Sequence, residues 1–242
     1  MLARELGDRS AAGPISHPAR RASVLLAIVA ASVFAASSAA PAAAGVPDPE
    51  RDATAQTGWH WYHGLTAAQV TQRLAADGDR VVDVEVQSAS PHRFTVATVR
   101  NEGVYKREWY WYAGLTAAQV GAKLKEKKAR LIDLETYVAG GARRFAVVMV
   151  ANTGEAAKNW HWYHGVSART LGLRLRQHRS RLVDLESYRD GGATKYAAVM
   201  IRNSGVDQAG WWYWLNVPLA KVQSSATSNG ARTFSLDRLP NG

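Results

Sequence analysis

Along residues 80–86 apolar and acidic positions alternate without a break: Val82, Val84 and Val86 against Asp83 and Glu85. The pattern returns in Arg130 to Tyr137, where Ile132 and Leu134 alternate with Asp133, Glu135 and Tyr137. It returns again in Arg181 to Tyr188, where Val183 and Leu185 alternate with Asp184, Glu186 and Tyr188. A period of two predicts strands with one apolar face. Phe94 to Val99, Phe145 to Val150 and Tyr196 to Ile201 are nearly all apolar, which predicts strands covered on both sides. Gly140-Gly141 and Gly191-Gly192 join the alternating and apolar runs and predict hairpin turns. Before each alternating run the period changes. Val70 with Leu74, Val120 with Leu124 and Leu171 with Leu175 are i, i+4 pairs and predict short amphipathic helices. Thr66 with Gln69 and Thr116 with Gln119 form capping boxes, and Ser167 caps the third helix without the glutamine.

Each helix is preceded by an aromatic segment: Trp59 to Gly64, Trp109 to Gly114 and Trp160 to Gly165, with a degenerate fourth, Trp212-Tyr213-Trp214-Leu215. Their first tryptophans lie 50, 51 and 52 residues apart (59, 109, 160, 212). A fixed period of this length is a tandem array of one supersecondary unit. The unit reads strand, helix, strand, strand, an α+β repeat in which no single copy can bury its own faces, so neighbours must stack. The expected units are 58–107, 108–158, 159–210 and a truncated 211–242, together one repeat domain. The fourth is expected to hold one more strand, Arg232 to Leu239, without a returning partner.

Residues 1–44 break the pattern. Arg20 and Arg21 precede an uncharged run, and the segment ends Ala42-Ala43-Ala44, which predicts a secretory signal peptide cleaved near Ala44. A retained membrane anchor is the competing reading. Cleavage would leave a secreted protein with no membrane span, and residues 45–57 read as a flexible linker. The chain has no cysteine, so burial alone must hold it, and nine Trp with nine Tyr supply that burial. The net charge is +10, or +8 once Arg4, Arg9, Arg20, Arg21, Glu5 and Asp8 of the leader are removed. This excess favours an anionic extracellular polymer or protein as partner. Export and the lack of a nucleic-acid motif argue against DNA or RNA.

The segment His63 to Gln69, then Arg-Leu-x-Asp-Leu-Glu-x-Tyr, Gly-Gly and a basic-aromatic-Ala-x-Val run, resembles the bacterial tandem repeat domain of secreted proteins. It is similar to the tryptophan-rich N-terminal domain of polyglycine hydrolases, which are serine proteases. The resemblance runs from Gly58 to about Leu239. It implies a curved antiparallel sheet, a partial barrel, with short helices packed on it. It also implies a partner, a separate serine hydrolase, because the catalytic machinery of those proteases lies in another domain. No Ser-x-x-Lys and no Gly-x-Ser-x-Gly occurs here, so no residue takes over their nucleophile and no catalytic residue is assigned.

The residues that suit a ligand are aromatic. Trp61, Trp111, Trp162 and Trp214 would form a row of platforms, one per unit, for sugar rings or extended peptide, with Trp211 as an additional exposed indole. Packing between units is the competing role, and at least one tryptophan of each pair is expected there. His60 and His161 stand beside this row. His60 with His63 and His161 with His164 are i, i+3 pairs that face opposite ways on a strand, so hydrogen bonding is expected and no metal is assigned. The acids on the alternating strands recur in every unit. That favours a structural role, either pairing with Arg80, Arg130 and Arg181 or accepting backbone amides. No cofactor is implied. The sequence reads as a secreted, non-catalytic binding module; a scaffold or inhibitor of a hydrolase, and a hydrolase with an Asp/Glu–His site, are the alternatives.

Overall fold

The computed structural model describes residues 57–233 and 236–237. The leader and nearly all of the linker, with Pro240 and the end of the expected last strand, lie outside them. The first unit is β1 (Trp59–Leu65), α1 (Ala67–Asp77), β2 (Asp79–Ala89) and β3 (His92–Arg100). The second is β4 (Trp109–Leu115), α2 (Ala117–Lys127), β5 (Ala129–Ala139) and β6 (Ala142–Ala151). The third is β7 (Trp160–Val166), α3 (Ala168–His178), β8 (Ser180–Asp190) and β9 (Ala193–Arg202). A last helix, α4, spans Leu219–Ser228.

Each unit owns a three-stranded antiparallel sheet in which the last strand is central: β1-β3-β2, β4-β6-β5 and β7-β9-β8. This explains why the last strand of each unit is the one without polar alternation. The helices start where the caps place them. Gln69 and Gln119 amides donate to the hydroxyls of Thr66 and Thr116, and both capping boxes close. Gly140, Gly141, Gly191 and Gly192 all have positive φ, as the hairpin turns require. The connection to the next unit is pinned by one asparagine. Asn101 accepts from the Arg107 amide at 2.8 Å and donates to its carbonyl at 3.0 Å, and Asn152 and Asn203 repeat this with Lys158 and Ala209.

The strict alternation expected in β2, β5 and β8 is broken by a bulge, between Val81 and Asp83, Leu131 and Asp133, and Leu182 and Asp184. An extra residue shifts the side-chain phase. Leu131 and Leu134 therefore join Val120 and Leu124 of their own helix, while Ile132 and Tyr137 pack on the first unit against Val70, Leu74 and Val84. The first and second cores are thus each closed by the sheet of the following unit, and the units do stack.

The fourth unit departs from the others. Residues 211–215 form no strand, and neither do the described residues after α4. Both outer strands of a unit pair only with its central strand. Among the described residues, 211–215 pair with no strand. Trp211, Tyr213 and Leu215 still pack on the third core.

Candidate functional site

Alternate residues of β1, β4 and β7 face opposite ways, so each segment offers one face to the preceding unit and one to its own helix. Trp109 and Trp111 pack on the first core, and Trp160 and Trp162 on the second. Trp111 sits edge-on to Phe94 at 5.5 Å and donates its indole N–H to Thr71 Oγ1 at 3.2 Å. Trp162 meets Phe145 edge-on at 6.1 Å. Among the described residues no unit packs on the same positions of the first unit: Trp59 is 70 % and Trp61 59 % exposed. Trp61 stacks on its neighbour His63. The row of four equal platforms thus reduces to one open pair. Trp211, expected to be exposed, is half-buried and stacked on Tyr213, because 211, 213 and 215 are the positions that reach the third core. Trp214 is half-buried and lies outside that cluster.

The face around Trp59 and Trp61 is more polar than its internal counterparts. Where the second and third units place Tyr137 and Tyr188, the first has Gln87, whose Oε1 accepts from the Gly64 amide as Tyr188 Oη does from Gly165. By strand register, Thr95 replaces Ala146 and Ala197, and Ala97 replaces Val148 and Val199.

The other face of each Trp segment carries hydrogen bonds. His60 Nδ1 lies 2.7 Å from Asp79 Oδ2, which also accepts from Thr98 Oγ1 at 2.6 Å. Tyr62 donates to Asp77 at 2.6 Å, and this carboxylate pushes its phenol up to about 12. In the third unit His161 stacks on His178 at 3.6 Å, and Tyr163 Oη lies 2.6 Å from His178 Nε2. Burial first and the His178 ring second hold His161 below the usual histidine range. His63 turns to Gln87, and His164 packs on Phe145. The basic residues of α2 and α3 lie over tyrosines, Lys123 over Tyr112, Lys127 over Tyr110 and Arg174 over Tyr163.

The acids form a column through the units. Asp133 Oδ2 accepts from the Val84 amide at 2.8 Å, Asp184 Oδ2 from the Leu134 amide at 3.0 Å, and Asp237 Oδ2 from the Ser187 amide at 2.7 Å. Each is an acid of one unit closing the bulged strand of the unit before it. Glu85, Glu135 and Glu186 follow one another along the column, close enough for each charge to raise the proton affinity of the next. Burial, then the charges of Glu85 and Asp184, push Glu135 up to about 9. Burial pushes Asp184 up to about 7. The bonds to backbone amides, one of the two structural roles expected for these acids, are formed at Asp133 and Asp184. Arg80 donates Nε to the Tyr105 carbonyl at 3.1 Å, and Arg181 to the Asp207 carbonyl at 3.4 Å.

A hydrolytic centre would need an acid of one unit to meet a histidine of another. Among the described hydrogen bonds, His60 meets Asp79 of its own unit. Thr98 gives its proton to the carboxylate and not to the imidazole, so it is not activated for attack.

Residues 106–152 and 157–203 each match the polyglycine hydrolase-like structural repeat, so the second and third units are tandem copies of that repeat. No curated protein and no solved structure matches the chain. The residue of the His60 network that the sequence did not single out is Asp79. Its signal was a departure from the repeat, since the second and third units have Ala129 and Ser180 there.

Proposed function

We propose that this protein is a secreted, non-catalytic repeat module that binds an extracellular polymer, a glycan or an extended peptide, through the open face of its first unit. One observation carries the reading. A terminal repeat normally sheds apolar surface to stay soluble, and Gln87, Thr95 and Ala97 follow that trend. Trp59 and Trp61 run against it, at 70 % and 59 % exposure. Two adjacent exposed indoles on a rigid strand are a stacking platform, and their ordering cost is already met by the fold. The net charge of +8 left once the leader is removed adds attraction for acidic polymers.

The test is retention on purified cell-wall polymer and a glycan array. Trp59→Ala with Trp61→Ala is expected to lower retention at least tenfold, on the order of 1.4 kcal/mol or more, with the melting temperature unchanged. Retention unaltered by the double substitution removes the open face as the contact. The match to a hydrolase-type repeat supports a second reading, in which the module positions a separate serine hydrolase; co-purification of such an enzyme decides it.

A further inference from the structure

Between the first and second units the structure leaves a cleft of about 420 Å³. Thr71 and Ala75 of α1, Gly78, Asp79, Trp109 and Trp111 line it. Its volume is that of a small-ligand site. The second junction has Gly121, Lys125, Lys128 and Ala129 at the equivalent positions, so this combination of small residues with a carboxylate is not a consequence of the repeat.

Asp79 is 3 % exposed, and its Oδ2 is fully used by His60 and Thr98. Its Oδ1 has no hydrogen-bond partner; the nearest cation, Arg100 Nε, stands 4.0 Å away. A buried acceptor left without a donor costs about 1–3 kcal/mol, and such a group points to a missing partner. The Trp111 ring beside it is fixed by its bond to Thr71.

We infer that this cleft is a binding site for a neutral, hydroxyl-bearing ring, a saccharide residue, with Trp109 and Trp111 as its walls and Asp79 as the hydroxyl acceptor. The chemistry selects this class. Two indoles take the C–H face of a sugar. The carboxylate repels anions, and Arg100 beside it disfavours cations. A ligand hydroxyl replaces the long Arg100 contact, which is within reach because the Arg100 side chain is half-exposed and tethered through Nη1 to the Asp77 carbonyl. The inference does not rest on the open face: His60 alternates with Trp59 and Trp61, so the Asp79 network lies on the other side of β1.

The full chain is titrated with neutral tetrasaccharides of glucose and of N-acetylglucosamine while the indole N–H signals of Trp109 and Trp111 are followed by NMR. Both signals are expected to shift saturably with one of the two probes. Ala75→Lys, which copies Lys125 on an exposed helical position, is expected to weaken that binding at least tenfold without changing the melting temperature. Asp79→Asn is expected to weaken it also. Indole signals that stay fixed up to about 10 mM of either probe, or equal affinity in Ala75→Lys, overturn the site. A failure of the open face is read separately, from Trp59→Ala and Trp61→Ala on polymer.

Discussion

At the scale of single residues, the carboxyl column is the feature with the largest consequence. Glu135 faces Glu85 from β2, Glu186 and Asp184 from β8, and Asp237 from the last segment, and its largest electrostatic neighbours are all acids. Its folded value, about 9, lies above the ordinary 4.5, and that of Asp184, about 7, above 3.8. Such groups add stability that is complete below their ordinary values and is lost as pH rises through the folded ones. The module is therefore expected to weaken between pH 5 and pH 9, by more than about 1 kcal/mol, measured as the fall in the urea midpoint. Glu135→Gln keeps an amide in the column and removes the charge, so its midpoint should change less over the same range. A midpoint that rises with pH contradicts the raised proton affinity of these buried acids.

At the scale of elements, the three helices differ in how they end. Gly78 closes α1 at φ +69°, whereas Lys128 and Arg179 close α2 and α3 at φ +46° and +49°. A side chain in the left-handed region costs about 1–2 kcal/mol, and glycine avoids most of it. Lys128→Gly is expected to stabilise the protein by about 1 kcal/mol, read by thermal melting, even though it removes a cation from the end of the helix. The opposite end is already well closed, so Thr116→Ala should cost about 1 kcal/mol through loss of the capping box. These helices were legible in the sequence because caps and i, i+4 pairs are local. The bulges were not: only the pairing with the central strand shows that Val82, Ile132 and Val183 are extra residues, which is why Leu131 and Leu134, three positions apart, serve one core.

At the scale of the whole molecule, the junctions are the unit of stability. Phe145 meets Trp162, and the aspartates of one unit close the strand of another. Trp162→Ala is expected to cost about 3–5 kcal/mol and to raise hydrogen exchange in α2 and β5 as well as in the third unit. Exchange confined to residues 160–202 would show that the units fold independently. The repeat count, the element order and the need to stack were readable from one chain, because period and burial demand follow from residue type.

Position along the array was not readable. The same Trp-x-Trp segment is junction packing in the second and third units and an open face in the first, since exposure depends on whether a neighbour precedes it. The sequence alone determined the building block, because caps, turns and hydrophobic period act within a few residues. Only the tertiary structure decided which tryptophans are free and which acids meet, because these are settled by groups about fifty residues apart meeting across a junction, and where a carboxylate is left without a donor, which is settled by His60, Thr98 and Arg100 from three different stretches of the first unit.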